Sequence, residues 1–240
     1  MKDSDTSIIT ARGLHFSYEK KKVIKGLSLK LNAGEIIGII GESGSGKTSL
    51  MKILAGILAP QKGLLGFAGT PYQNPADQLV AGHPKIKLVN QDFDLAPYLS
   101  VRSNMLKNSL SESDTARYKI LRYYERQLQL NKLRDNRAID TSGGQQQRVA
   151  LAAALGANPD VLLLDEPFSN LDYPLKQHLI ELLKTEWRPK AMVVVTHEPS
   201  DILQMADRLL VMEAGKIVQE GSPEEIYNKP KTESIARLLV

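Results

Sequence analysis

Gly41-Glu42-Ser43-Gly44-Ser45-Gly46-Lys47-Thr48 follows directly on the apolar run Glu-Ile-Ile-Gly-Ile-Ile at 35–40. Three glycines in eight residues build no core. They let a backbone curl so that successive N–H groups point inward at an anion. The spacing G-x-x-x-x-G-K-[ST] is that of a phosphate-binding loop, the Walker A motif. A buried strand before the loop and an amphipathic helix after it supply the required context. The helix, expected to start near Thr48, turns its positive end toward the same oxygens. Lys47 brings a full charge to the β and γ phosphates, and the Thr48 hydroxyl is a hard ligand for Mg²⁺. Gly41, Ser43, Gly44, Ser45, Gly46, Lys47, Thr48 and Ser49 are the residues expected around a nucleotide triphosphate.

The rest of the chain fits an α/β domain. Val161–Leu164 and Met192–Val195 are almost purely apolar, like 35–40, and suit strands of a parallel sheet covered on both faces. Leu50, Ile53, Leu54, Ile57 and Leu58 follow helical spacing up to Pro60, and Leu175, Leu179, Leu182 and Leu183 repeat it after Pro174. Leu14–Leu31 and Arg208–Gly221 break the alternation and read as antiparallel strand pairs. Pro97–Asp140 reads as helices. Between Arg117 and Arg137 the cations Arg117, Lys119, Arg122, Arg126, Lys132, Arg134 and Arg137 meet only Glu125 and Asp135. That is either a solvated helix face or a docking surface.

A nucleotide loop needs a carboxylate for Mg²⁺ and a group to orient water. Asp165 and Glu166 end the run Val-Leu-Leu-Leu-Asp-Glu-Pro. Asp165 suits the metal shell and Glu166 the general base. A helix cap would also use such a pair, but Pro167 and the apolar run argue against it.

Composition narrows the class. With no cysteine, neither a disulfide nor a thiolate metal site is possible. His15, His83, His178 and His197 lack metal-ligand spacing. A net charge of +4 is weak evidence for any partner, and no nucleic-acid partner is expected. The first ten residues are no signal peptide, and no apolar run approaches 18 residues.

The segment Thr141-Ser-Gly-Gly-Gln-Gln-Gln-Arg selects among nucleotide-binding families. With the phosphate loop, Val161–Pro167, Ser169-Asn-Leu-Asp172 and Val193-Val-Val-Thr-His197-Glu in this order, the chain closely resembles the ATP-binding cassette (ABC) ATPases of transporters from about Leu14 to Pro230. The resemblance implies a P-loop NTPase core at 1–91 and 141–240, carrying an antiparallel β subdomain, with a helical subdomain inserted at 92–140. It implies MgATP hydrolysis. Ser142, Gly143, Gly144 and Gln145 match the signature that caps the γ-phosphate held by a second subunit, and here a serine and two glycines open a helix. Gln91, 44 residues after Lys47, matches a glutamine that reaches Mg²⁺ and water. His197 matches a γ-phosphate histidine. Asp172 matches a residue linking the two sites, and also suits a helix N-cap. Tyr18 matches an aromatic that stacks on adenine, with Phe16 as the competing candidate.

The implied partners are transmembrane permease subunits, a solute-binding protein and a second copy or close relative of this chain. The implied place is the cytoplasmic face of the cell membrane, bound peripherally. Import is favoured by Gly221–Pro230 and by 90–104. An exporter or lipoprotein-release ATPase is the alternative, as is a soluble switch in DNA repair or translation. Repair members carry a long coiled coil before the signature, whereas Thr141 follows Lys47 by only 94 residues. Many importers of the iron and polyamine type carry a further regulatory domain, so the stop soon after Pro230 implies a short subfamily or a truncated chain. Thr141 stands where the family has leucine and should soften packing behind the signature. Glu198-Pro199 also departs from the family pattern.

Overall fold

A sheet closed on both faces organises the molecule. The computed structural model describes residues 7–78, 81–107, 114–187 and 189–239. Met1–Thr6, residues 108–113 of the segment expected to be helical, and the Arg117 side chain lie outside the described residues. The strands β1 (Ser7–Tyr18), β2 (Lys21–Asn32), β4 (Lys62–Phe67) and β5 (Thr70–Pro71) form an antiparallel sheet in the order β2-β1-β4-β5. The second sheet has the order β10-β9-β3-β8-β7-β6. It contains β3 (Ile36–Ile40), β6 (Ile86–Val89), β7 (Val161–Asp165), β8 (Ala191–Val195), β9 (Arg208–Glu213) and β10 (Lys216–Gly221).

The apolar runs become strands because their alternate side chains feed two cores. Val161, Leu163, Val193 and Val195 join one cluster with Leu50, Ile53 and Leu54 of α1 (Lys47–Leu54) and with the antiparallel sheet. Leu162, Leu164, Met192 and Val194 join the other, with Leu121 and Leu128, Val149 and Leu151, and Leu179 and Leu183. These last pairs come from α3 (Asp114–Gln127) and the turn after it, α4 (Gly143–Gly156) and α5 (Tyr173–Glu186). Burying each such side chain contributes roughly 1.5–3 kcal/mol, so no polar alternation survives in β7 or β8.

Two expectations are refined. The 208–221 pair is antiparallel, but β9 also runs parallel to β3 and so extends the central sheet. The helical spacing through Leu58 overshoots, because α1 ends at Leu54. Gly56 takes a left-handed conformation, φ 72°, that stops a helix at low cost. The freed carbonyls of Ala55 and Gly56 accept from the N–H groups of His83 (2.8 Å) and Gly82 (3.0 Å). Ile57 is left exposed.

The middle segment supplies α2 (Val101–Leu106) and α3. Leu121 and Glu125 turn inward from α3, while Lys119, Arg122 and Arg126 are exposed. Glu125 is buried and takes Arg134 through two bonds of 2.7 and 3.0 Å. Arg137 pairs with Asp140 at the surface.

His83 half-inserts between elements, its ring 4.3 Å from Phe67 and 5.1 Å from Tyr72. Its Nδ1 accepts from the Lys85 N–H at 3.3 Å, which requires a neutral ring. Burial and the Lys85 charge push the imidazole below its ordinary value. The unfolded chain therefore binds a proton that the folded one refuses, and this increment of stability is lost as pH falls below about 6.5. In urea titrations, wild type should exceed His83→Gln in stability at pH 7.5, and the gap should narrow at pH 5. A gap constant with pH would show that His83 stays uncoupled from folding.

Candidate functional site

Parallel strands deliver their carboxyl ends to one edge of a sheet. Here β3, β8, β7 and β6 are neighbours in that order. The phosphate loop leaves β3, Thr196 and His197 leave β8, Asp165 ends β7 with Glu166 directly after it, and Gln91 follows β6. The cleft at this edge has a volume of about 490 Å³. Gly41, Ser43, Gly44, Gly46, Lys47, Thr48 and Ser49 line one side. Tyr18, Gln91, Asp165, Glu166 and His197 also line it.

Ser45, expected at the nucleotide, does not line the cleft. Its hydroxyl is buried without a partner, while its carbonyl accepts from Gly215 N–H at 3.0 Å. Ser45 braces the loop from behind. Gly41 is required by close approach: a Cβ there would lie 2.2 Å from the Met212 carbonyl oxygen of β9. A backbone atom cannot yield, so the loop depends on β9 as well as on its own glycines.

Lys47 donates to the carbonyls of Gly41 (2.7 Å) and Glu42 (3.0 Å), so the ammonium is held inside the loop. Burial pushes it below its ordinary value, and the carboxylates of Glu166 and Asp165 pull it back up. Burial pushes Asp165 above the usual carboxylate range, against a hydrogen bond from Thr48. Asp165 Oδ2 is buried with no hydrogen-bond partner. An unpaired anionic oxygen beside a hydroxyl fits a hard cation. Among the described residues no group of three or more His, Cys, Asp or Glu could hold a metal, so such an ion would draw its remaining ligands from neutral groups such as Gln91, from phosphate and from water.

Glu166 is buried, and its Oε2 lies 2.7 Å from His197 Nδ1. Tyr18 is 47% exposed at the mouth, whereas Phe16 is buried and meets its ring edge-on at 4.8 Å. Of the two candidates, Tyr18 is the one free to stack. Lys21 and Val23 also line the cleft. They were not singled out from sequence, where a turn lysine and a strand valine carry no distinctive signal.

Ser142, Gly143, Gly144, Gln145 and Asp172 do not line this cleft. Ser142 caps α4: its Oγ accepts from Gln145 N–H at 3.4 Å, and Gln145 Oε1 accepts from Ser142 N–H at 3.0 Å. Asp172 caps α5 through Leu175 N–H at 3.0 Å. Thr141 is buried, with its hydroxyl on the Ala138 carbonyl at 2.6 Å, which replaces the apolar contact of a leucine by a bond.

A family model described as ABC transporter matches residues 24–169, more than half of the chain. This chain belongs to the ABC transporter family. It is 35% identical over 98% of its length to the spermidine/putrescine import ATP-binding protein of Mesoplasma florum, and covers 67% of that protein. It is 37% identical over 93% of its length to the Fe(3+) ions import ATP-binding protein of Yersinia enterocolitica, and covers 64% of it. The ABC chain thus spans about two thirds of these relatives. A solved dimeric ATP-binding cassette in a post-hydrolysis state with ADP and Pi matches with TM-score 0.78 at 25% identity, over 90% of this chain and 98% of that one. Among the described residues, no helix is long and apolar enough to cross a membrane.

The unusual Glu198-Pro199 of this ABC chain has a structural account. Pro199 opens helix α6 (Pro199–Met205), where a missing N–H does no harm. Glu198 joins Lys176 of α5, which also holds the buried Asp201 at 2.7 Å. The three residues tie the segment carrying His197 to α5. Lys176→Met would leave Asp201 buried and unpaired, at a cost of about 3 kcal/mol. Chemical denaturation at pH 7 should show that loss, and Lys176→Met combined with Asp201→Asn should recover most of it. An unchanged denaturation midpoint in the single variant would rule out the tie.

Proposed function

We propose that this protein is the ATP-hydrolysing subunit of a solute importer, working as a pair of cassettes beneath transmembrane permease subunits. The observation that carries it is the meeting of Lys47, Thr48, Asp165, Glu166 and His197 in one cleft. The relatives are named as import ATP-binding proteins, which favours import over export or a soluble switch.

On this reading the loop N–H groups and Lys47 hold the phosphates, and Lys47 exchanges two backbone carbonyls for phosphate oxygens. Tyr18 stacks on the base. Glu166 accepts a proton from the attacking water, and His197, now on the Glu166 carboxylate, turns to the γ-phosphate. Thr48, Asp165 and Gln91 would hold Mg²⁺, which when bound neutralises charge on the β and γ oxygens. The family reaction is cleavage of ATP to ADP and phosphate.

Ser142, Gly143, Gly144 and Gln145 stand outside their own cleft, exposed or half-exposed at the start of α4, which supports their use by a second copy. Asp172 would link the two sites. We assign 1–91 and 141–240 to the nucleotide-binding core and 92–140 to a helical subdomain facing the permease. Leu99 and Ile139 are exposed there on adjoining segments, joined by Ala138 N–H to the Leu99 carbonyl at 3.0 Å. Neighbouring exposed apolar residues suit a protein contact. The protein would sit peripherally on the cytoplasmic face, and a solute-binding protein would complete the system.

Glu166→Gln should bind ATP, lose turnover by at least ~10²-fold, and accumulate as an ATP-bound dimer on size exclusion. Hydrolysis at the wild-type rate would remove Glu166 from the role of base.

A further inference from the structure

Glu166 carries a conformation that its side chain alone does not explain. Among the described residues it is the only buried non-glycine with positive φ, at 55°. A glutamate gains nothing by itself from the left-handed region, so neighbouring contacts must hold it there. Its N–H is committed to the Val195 carbonyl of β8 at 2.9 Å. Its own carbonyl, turned by that φ, accepts from Gln147 Nε2 at 2.8 Å and from Ser169 Oγ at 3.1 Å.

Gln147 is 2% exposed, and its Oε1 has no hydrogen-bond partner. The buried amide is thus retained for its donor alone, at the expense of an unsatisfied acceptor. The opposite amide orientation would set oxygen against oxygen. Gln147 also lies on the first turns of α4, five residues after the Ser142 cap.

We propose that Gln147 is a positioning residue for Glu166. Its amide fixes the peptide that follows Glu166, and so the direction in which the carboxylate leaves the strand end. Because Gln147 and Ser142 share one end of one helix, a shift of that end when Ser142 takes an anion is passed to the Glu166 backbone. This rests on the reading of Glu166 as general base.

Gln147→Met keeps length and apolar bulk but removes the donor. In the whole protein with MgATP, kcat should fall about tenfold, because the Glu166 carbonyl keeps only the Ser169 donor and the carboxylate direction is no longer fixed. KM, the affinity for a fluorescent ATP analogue and the melting temperature should stay near wild type. The decisive comparison is single-turnover hydrolysis in the Glu166→Gln background. There Gln147→Met should add no further loss, since the carboxylate it orients is gone. An equal loss in both backgrounds would mean that Gln147 merely supports the fold or the nucleotide, and would overturn the proposal. So would a kcat within twofold of wild type. Should Gln147→Met not fold, Ser169→Ala removes the second donor to the same carbonyl. It should then show about a threefold loss in the wild-type background and none in Glu166→Gln. A wild-type rate in Glu166→Gln alone would instead sink the base assignment itself.

Discussion

Everything at the cleft depends on four strands ending side by side. In a parallel sheet the register that pairs Ile39 with Val195, and Asp165 with Val195, fixes where each following loop begins. No side chain has to search for its neighbour. The loop after β3, the carboxylates of β7, the histidine after β8 and the glutamine after β6 emerge within one edge. The register is held by burial on both faces, since slipping a strand by one residue would exchange the residues feeding the two cores. Apolar packing therefore sets the geometry of a charged site.

The charges in that site are held in ways that keep them available. Lys47 rests on neutral carbonyls rather than on an acid. Asp165 has one oxygen near Thr48 and one unpaired. The Glu166 carboxylate pairs with His197, whose side chain is exposed. A full buried ion pair between Lys47 and Asp165 would bind more tightly and would have to be broken for a ligand. The contrast is Lys176 with Asp201, an ion pair of 2.7 Å just behind the cleft, although Asp201 Oδ2 is itself left without a hydrogen bond. In the cleft the unsatisfied valence lies where a triphosphate would sit.

Much of this was legible in the chain, because the strongest signals are those with the fewest physical alternatives. Continuous apolar runs can be little else than doubly covered strands, and a glycine-rich loop between strand and helix has few uses other than holding an anion. Less was legible where the cause lies far off in sequence. The end of α1 was misplaced because helical spacing continues past Gly56, and only the capping N–H groups at 82–83 show why the chain turns there. β6 was missed because Lys87 interrupts a four-residue strand. Gln147 sat unnoticed among three consecutive glutamines, since only the fold reveals that its amide faces the Glu166 carbonyl. The demand on Gly41 comes from Met212, a contact that no local pattern encodes.

The proposed use of Ser142 by a second copy has an energetic side. Its cap bond to Gln145 N–H is long, at 3.4 Å, and exposed, so exchanging it for a phosphate oxygen costs little. A charged acceptor at the same helix start would gain both the hydroxyl and the free N–H groups of the first turn. The difference between an intact γ-phosphate and the products is then the difference between a closed and an open pair. A ligand can shift such an equilibrium only by its unequal affinity for the two states. The weakly satisfied cap adds to that inequality, because the open state has little to lose. Fixing Glu166 through Gln147, on the helix that Ser142 caps, would place the base in register when that pair closes, which ties the timing of hydrolysis to assembly.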